Sequence, residues 1–221
     1  MKKIVTLFMI VVHSLFAEDI LISAAASLRE FLTKNISEYK KQSPNTNIVV
    51  NLGGSGTLKN QIEQGAPVDI VFLADREMMI DLKKKKIILD EYPILENKVV
   101  LIKNRYNENP IALLATGDPK YVPAGRYAEQ ALAKEPLDIS YSLIYLKDVR
   151  SVLNYVELGE VDYGIVYLSD TKLLKNSKII KIFDTSSHSP IEYSIGILSN
   201  SPNKIESLKF LNFLNGKNWN E

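Results

Sequence analysis

The chain has 221 residues, 46% of them apolar and 24% charged, a balance that excludes disorder, collagen-like repeats and a polytopic membrane protein and allows one or two domains. Its 27 basic and 26 acidic residues give a net charge of +1, so bulk charge offers no support for nucleic-acid binding. With no cysteine, a disulfide scaffold, a thiolate zinc site, an iron–sulfur cluster and a cysteine nucleophile are excluded as well.

The chain begins Met1-Lys2-Lys3. An apolar run from Ile4 to Phe16 follows, broken only by Thr6, His13 and Ser14, and then Ala17 and the acidic pair Glu18-Asp19. A basic start, a short apolar stretch and a small residue predict a secretory signal peptide over residues 1–17. The run falls short of the ~20 apolar residues that a membrane span needs. No cysteine follows it, which excludes a lipid anchor. A soluble exported chain without disulfides is expected in the bacterial periplasm. The mature chain keeps one histidine, His188, in the loop Ser186-Ser187-His188-Ser189-Pro190, where solvent exposure is expected.

Ile20-Leu21-Ile22 predicts a strand, and Leu28, Phe31, Leu32, Ile36 and Tyr39 then recur at helical spacing. A second strand, Asn47 to Leu52, runs into Gly53-Gly54-Ser55-Gly56-Thr57 and a helix from Leu58 to Gln64 stopped by Gly65. Val68 to Leu73 is a third strand, interrupted only by Asp69. Asp75 caps the helix after it, which reaches the Lys83–Lys86 run, a solvated helix end. Strand–helix repeated three times implies a parallel sheet with right-handed crossovers. Further strands are predicted over Lys98–Lys103, Ile111–Ala115, Leu143–Tyr145, Val161–Tyr167, Ile179–Phe183 and Ile191–Leu198. Helices are predicted over Arg126–Lys134, Asp148–Leu158, Asp170–Leu174 and Lys204–Leu214. No Pro/Gly/Ser linker divides the chain, so two small lobes joined by crossovers fit better than two separate beads.

Small hydrogen-bonding residues mark four strand-to-helix junctions: Ala26-Ser27, Gly54-Ser55-Gly56, Pro123-Ala124-Gly125 and Lys147-Asp148-Val149. Helix N-termini expose unpaired N–H groups and a partial positive charge, and several aimed at one point make an anion site without a full cation. Taken singly, each junction is equally a routine cap or turn.

Six segments occur in order: Ala24-Ala25-Ala26-Ser27-Leu28, Gly54-Ser55-Gly56-Thr57-Leu58, Gln64-Gly65-Ala66-Pro67-Val68-Asp69, Gly117-Asp118-Pro119 with Val122-Pro123-Ala124-Gly125, Asp148-Val149-Arg150 and Gly164-Ile165-Val166-Tyr167. Together they resemble the molybdate-binding periplasmic proteins of ABC transporters, from about Ile20 to Leu198. The resemblance implies a type II periplasmic binding protein: two α/β lobes, each a mostly parallel sheet flanked by helices, with an oxyanion in the cleft between them. The first lobe would comprise residues 18–97 and 196–221, the second 98–195. The family's ligand positions fall on Ser27 and Ser55 (hydroxyl and backbone N–H), Ala124 and Val149 (backbone N–H) and Tyr167 (phenol). The implied function is capture of molybdate or tungstate and delivery to an inner-membrane permease, by a monomer with no cofactor, no catalytic residue, no nucleic-acid partner and no metal except within the oxyanion. Gly53-Gly54-Ser55-Gly56 is richer in glycine than the serine-rich turn of many members, which suggests a looser loop.

The chemistry of the ligand points the same way. Molybdate and tungstate are unprotonated dianions near neutral pH and only accept hydrogen bonds, whereas phosphate carries a proton and needs an acceptor. Asp148 and Asp170 are expected to cap helices, and Arg29, Arg126 and Arg150 to face solvent. Tyr127, Tyr155 and Tyr163 read as core or surface aromatics. The alternatives are a binding protein for sulfate or another small oxyanion, an enzyme on the same fold, and an effector-sensing domain. One histidine, no cysteine and no Gly-x-Ser-x-Gly elbow argue against the enzyme. The signal peptide and the lack of a helix-turn-helix segment argue against the sensor.

Overall fold

A computed structural model describes residues 18–107, 111–215 and 217; the expected signal peptide, residues 1–17, lies outside the described residues. The first part of the chain alternates as the apolar runs require: β1 (Glu18–Ala25), a 3-10 turn (Ala26–Leu28), α1 (Arg29–Gln42), β2 (Thr46–Gly53), α2 (Ser55–Glu63), β3 (Ile70–Leu73), α3 (Arg76–Lys84) and β4 (Ile88–Asn97). The chain then passes directly into β5 (Val99–Asn104), β6 (Ala112–Gly117), α4 (Pro123–Lys134), β7 (Tyr141–Leu146), α5 (Val149–Leu158) and β8 (Tyr163–Tyr167). A 3-10 turn (Leu168–Leu173), β9 (Ser177–Ile182), a second such turn (Thr185–Ser187), β10 (Ile191–Leu198) and α6 (Lys204–Leu214) complete it.

Among the described residues ten strands form two five-stranded sheets, in the orders β2-β1-β3-β10-β4 and β7-β6-β8-β5-β9. Strand β1 pairs in parallel with β2 and β3, and β10 runs antiparallel to β3 and β4. The second sheet repeats the plan, β6 pairing in parallel with β7 and β8 and β5 running against β8 and β9. Each sheet therefore has four strands in one direction and one reversed, the mostly parallel arrangement that strand–helix alternation implies. Their central strands are buried on both faces: β3 is Ile70, Val71, Phe72 and Leu73, all without exposed surface.

The two sheets also share a device. Asp69, just before β3, accepts the N–H of Leu21 on β1 at 2.8 Å, and Asp162, just before β8, accepts that of Leu113 on β6 at 2.7 Å. Ser201 and Asn203 add further bonds to Asp69 and so tie the start of α6 to the first sheet. The polar interruption of the apolar run at Asp69 is thus a buried acceptor that locks two parallel strands in register.

Two features differ from the sequence-based expectations. Strand β4 carries no strong strand signal, because it is an edge strand with many exposed positions and Pro93 at a register shift against β10. Strand β10 belongs wholly to the first sheet from Ile191 onward, so the return to the first lobe precedes residue 196. The lobes are joined where β4 meets β5, at Asn97-Lys98, and by the segment leading into β10. Among the described residues no helix is long and apolar enough to cross a membrane.

Candidate functional site

Parallel strands deliver their following helices to the same edge of a sheet, so the ends of β1, β2 and β3 in one lobe face those of β6, β7 and β8 in the other. A small cavity lies where they meet, lined among others by Ser27, Gly54, Ser55, Asp148, Val149 and Tyr167. Four of the five residues singled out in the sequence, Ser27, Ser55, Val149 and Tyr167, therefore share one cavity. Ala124 does not line it. It is the second residue of α4, nearly fully buried directly behind Pro123, which does.

The polar atoms there are set up to donate. Ser55 opens α2 and is 1% exposed, and its Oγ accepts the N–H of Ala74 at 3.0 Å. That bond takes one lone pair and leaves the hydroxyl hydrogen to point elsewhere. Val149 opens α5. The cap residue Asp148 directs its carboxylate at the N–H of Ser151, 2.7 Å away, which leaves the Val149 N–H at the helix mouth. Tyr167 ends β8 with its ring buried and edge-on to that of Tyr193, centroids 5.7 Å apart, and its hydroxyl is buried without a hydrogen-bond partner. Burial holds this phenol well above its ordinary pKa, so it remains an O–H donor. Ser27 lies in the 3-10 turn before α1, its Oγ 2.9 Å from the hydroxyl of Tyr193.

The lobes touch across this cavity. The N–H of Gly56 donates to the carbonyl of Tyr121 at 2.9 Å. A Cβ on Gly56 would lie 2.5 Å from that same oxygen, and one on Gly54 would lie 2.9 Å from the carbonyl of Lys147. The close approach of the opposite lobe requires glycine at both positions. Two ion pairs also bridge the lobes, Arg126 with Asp75 and Arg150 with Glu30.

Several expectations are corrected here. Arg150 is nearly buried and Arg126 is only partly exposed, so neither simply faces solvent. Both are drawn to carboxylates of the first lobe, and the Arg150 guanidinium also lies 3.5 Å from Asp170. Asp148 is the cap expected of it. Asp170 caps its 3-10 turn by accepting the N–H of Tyr167 at 3.2 Å, but it is fully buried, and burial, partly offset by Arg150, pushes its carboxyl up to about 6. His188 is buried rather than exposed. Its loop is fastened to α4 through Ser189 to Gln130 and Lys134 to Ser186, which sets the imidazole 5.9 Å from the Tyr127 ring. Tyr127 is core and Tyr155 is surface, as expected.

Tyr193 and Asn97 escape sequence reasoning. Asn97 ends β4 and Tyr193 lies near the start of β10, far along the chain from every junction motif, and their one signal is polarity inside an apolar strand or at its end. A larger cavity, of about 220 Å³, opens beside Ser27 and Tyr193 toward Asn97, Ser169 and Lys172.

The model of a bacterial extracellular solute-binding protein family matches residues 20–220. The chain belongs to that family. Among the relatives of this solute-binding protein, the molybdate-binding protein ModA of Haemophilus influenzae is 36% identical over 209 residues, covering 86% of this chain and 82% of the relative. The solved substrate-binding domain of a putative molybdenum ABC transporter from Clostridium difficile is also 36% identical. It has a TM-score of 0.66 and covers 89% and 91% of the two chains. The periplasmic molybdate-binding protein of Azotobacter vinelandii superposes with a TM-score of 0.75 over 90% and 93% of the chains, and at 20% identity it speaks for the fold alone.

Proposed function

We propose that this solute-binding protein captures molybdate or tungstate between its lobes and delivers it to an ABC permease. The observation that carries the reading is the one-sided hydrogen bonding of the cavity. The Ser55 oxygen already accepts from Ala74, the buried Tyr167 hydroxyl has no partner, and the Val149 N–H stands open at a helix start. Such a set suits a ligand whose four oxygens only accept. Hydrogen phosphate would need an acceptor, and the one carboxylate among the described residues that line the cavity, Asp148, has its Oδ1 engaged in capping α5 through the N–H of Ser151. The molybdate-binding names of relatives that are 36% and 33% identical support the same ligand.

In this reading Ser27 and Ser55 receive the anion on the open first lobe. Closure adds the Val149 N–H, the Tyr167 phenol and, through the start of α4, the Ala124 N–H. The anion gains bonds only on closing, and that difference shifts the population toward the closed form. Arg126 and Arg150 are neutralised by Asp75 and Glu30, so dipoles rather than a full cation meet the ligand's charge. The protein acts as an exported, periplasmic monomer after loss of residues 1–17, with no catalytic step and no resident cofactor.

A thermal-shift panel tests this. Molybdate and tungstate, nearly equal in size and charge, should both raise the melting temperature, and sulfate and phosphate should do so far less. An equal shift with sulfate would favour a general sulfate-type binder.

A further inference from the structure

We propose that Asn97, at the end of β4, and Tyr193, near the start of β10, are positioning residues for the ligand: an ordered hydrogen-bond chain through them fixes Ser27 as a donor to the anion. The proposal rests on the reading of the cavity as an oxyanion site.

The direction of the chain follows from counting donors. The Oδ1 of Asn97 accepts the N–H of Lys98 at 2.9 Å and that of Ser169 at 3.4 Å. These two bonds fix the amide, so its NH₂ faces the Ser169 Oγ at 2.8 Å and the Tyr193 Oη at 3.4 Å. The Tyr193 oxygen therefore accepts from Asn97 and keeps its single hydrogen to give; in the proposed chain that hydrogen goes to the Ser27 Oγ, 2.9 Å away, a contact whose distance alone allows either hydroxyl to donate. Ser27 in turn accepts, and its own hydrogen is left for the cleft. The opposite polarity would aim a lone pair of Ser27 at a ligand made only of acceptors. Burial, with the Asp170 carboxyl nearby, keeps the Tyr193 phenol protonated and able to play this part.

The chain also joins the lobes. Ser27 belongs to the first lobe, Tyr193 to β10, Asn97 to the end of β4, and Ser169 to the turn that follows Tyr167 in the second. The Tyr193 ring supports that of Tyr167 as well, edge-on. The Ser27 hydroxyl and the Tyr167 ring are thus both in contact with the same side chain, close to where the chain crosses between the lobes.

The experiment is a double-mutant cycle read by calorimetric titration with sodium molybdate. Tyr193→Phe removes one oxygen and keeps the ring. It should weaken binding by ~3- to 10-fold, the loss of one net hydrogen bond, because water from the adjoining cavity replaces it in part. Ser27→Ala should weaken binding too, and the double variant should bind no worse than Ser27→Ala alone, since the chain acts only through that serine. Asn97→Ala, which frees the Tyr193 hydroxyl from its donor, gives a second route with the same expectation. Undiminished affinity in Tyr193→Phe, or the same loss whether or not Ser27 is present, would overturn the proposal. Failure of the unaltered protein to bind molybdate would fall on the functional reading itself and remove the proposal with it.

Discussion

Gly56→Ala should produce a protein that folds but cannot close. The added Cβ would lie 2.5 Å from the Tyr121 carbonyl oxygen and 2.9 Å from the Tyr121 Cα, where ordinary contacts begin at 3.4 Å. Both obstructing atoms are backbone, in a turn held by Asp118, so relief requires the lobes to part by roughly 1 Å. That displacement carries the 2.9 Å bond between Gly56 and Tyr121 beyond hydrogen-bonding range. It also withdraws Val149 and Tyr167 from an anion seated on Ser55. A hydrogen bond to a charged group contributes ~1.5–3 kcal/mol, so losing two should weaken molybdate by about 100-fold or more. The first lobe should not suffer, because alanine is the better helix residue by up to ~1 kcal/mol. Calorimetric titration with molybdate, paired with thermal melts of the ligand-free protein, reads both effects. A variant that binds as tightly as the unaltered protein would refute the argument that closure over Gly56 makes the site.

Ser55→Ala should weaken molybdate by ~1–3 kcal/mol and also lower the melting temperature, because the buried N–H of Ala74 loses its acceptor; titration and melting of one sample measure both. Tyr167→Phe should leave stability unchanged or slightly raised, since its hydroxyl is buried without a partner, while bringing molybdate and sulfate affinities closer in competition titrations. Asp170 should make the ligand-free protein lose stability as pH rises. Its folded value of about 6 lies above the usual 3.8, so its contribution is full below pH 3.8 and is lost through pH 6, amounting to at most ~3 kcal/mol. Asp170→Asn should remove that downward component, so the difference between the two stability–pH curves should change across this window and flatten above it.

Much of the fold was legible because central strands buried on both faces leave continuous apolar runs. The run before Leu73 and the run ending at Tyr167 are of this kind, and glycine, proline or aspartate marks the helices between such strands. Strand β4 was not legible: an edge strand with exposed positions and an internal proline keeps neither an apolar run nor strict alternation. For the site, helix starts after parallel strands marked candidate junctions, and it was the resemblance to the molybdate-binding family that singled out Ser27, Ser55, Val149 and Tyr167. What escaped was everything made by tertiary approach. The burial of Arg150 and His188, the clash that reserves Gly56 for glycine, and the meeting of Asn97 with Tyr193 each depend on elements distant in sequence.

The most direct test of a donor-lined oxyanion site between the lobes is anomalous diffraction at the molybdenum edge from crystals grown with molybdate. The account predicts one strong peak within hydrogen-bonding reach of Ser27 Oγ, Ser55 Oγ, the Val149 N–H and the Tyr167 hydroxyl, with the lobes closed on it. A peak held instead by surface lysines, or none between the lobes at saturating molybdate, would contradict it.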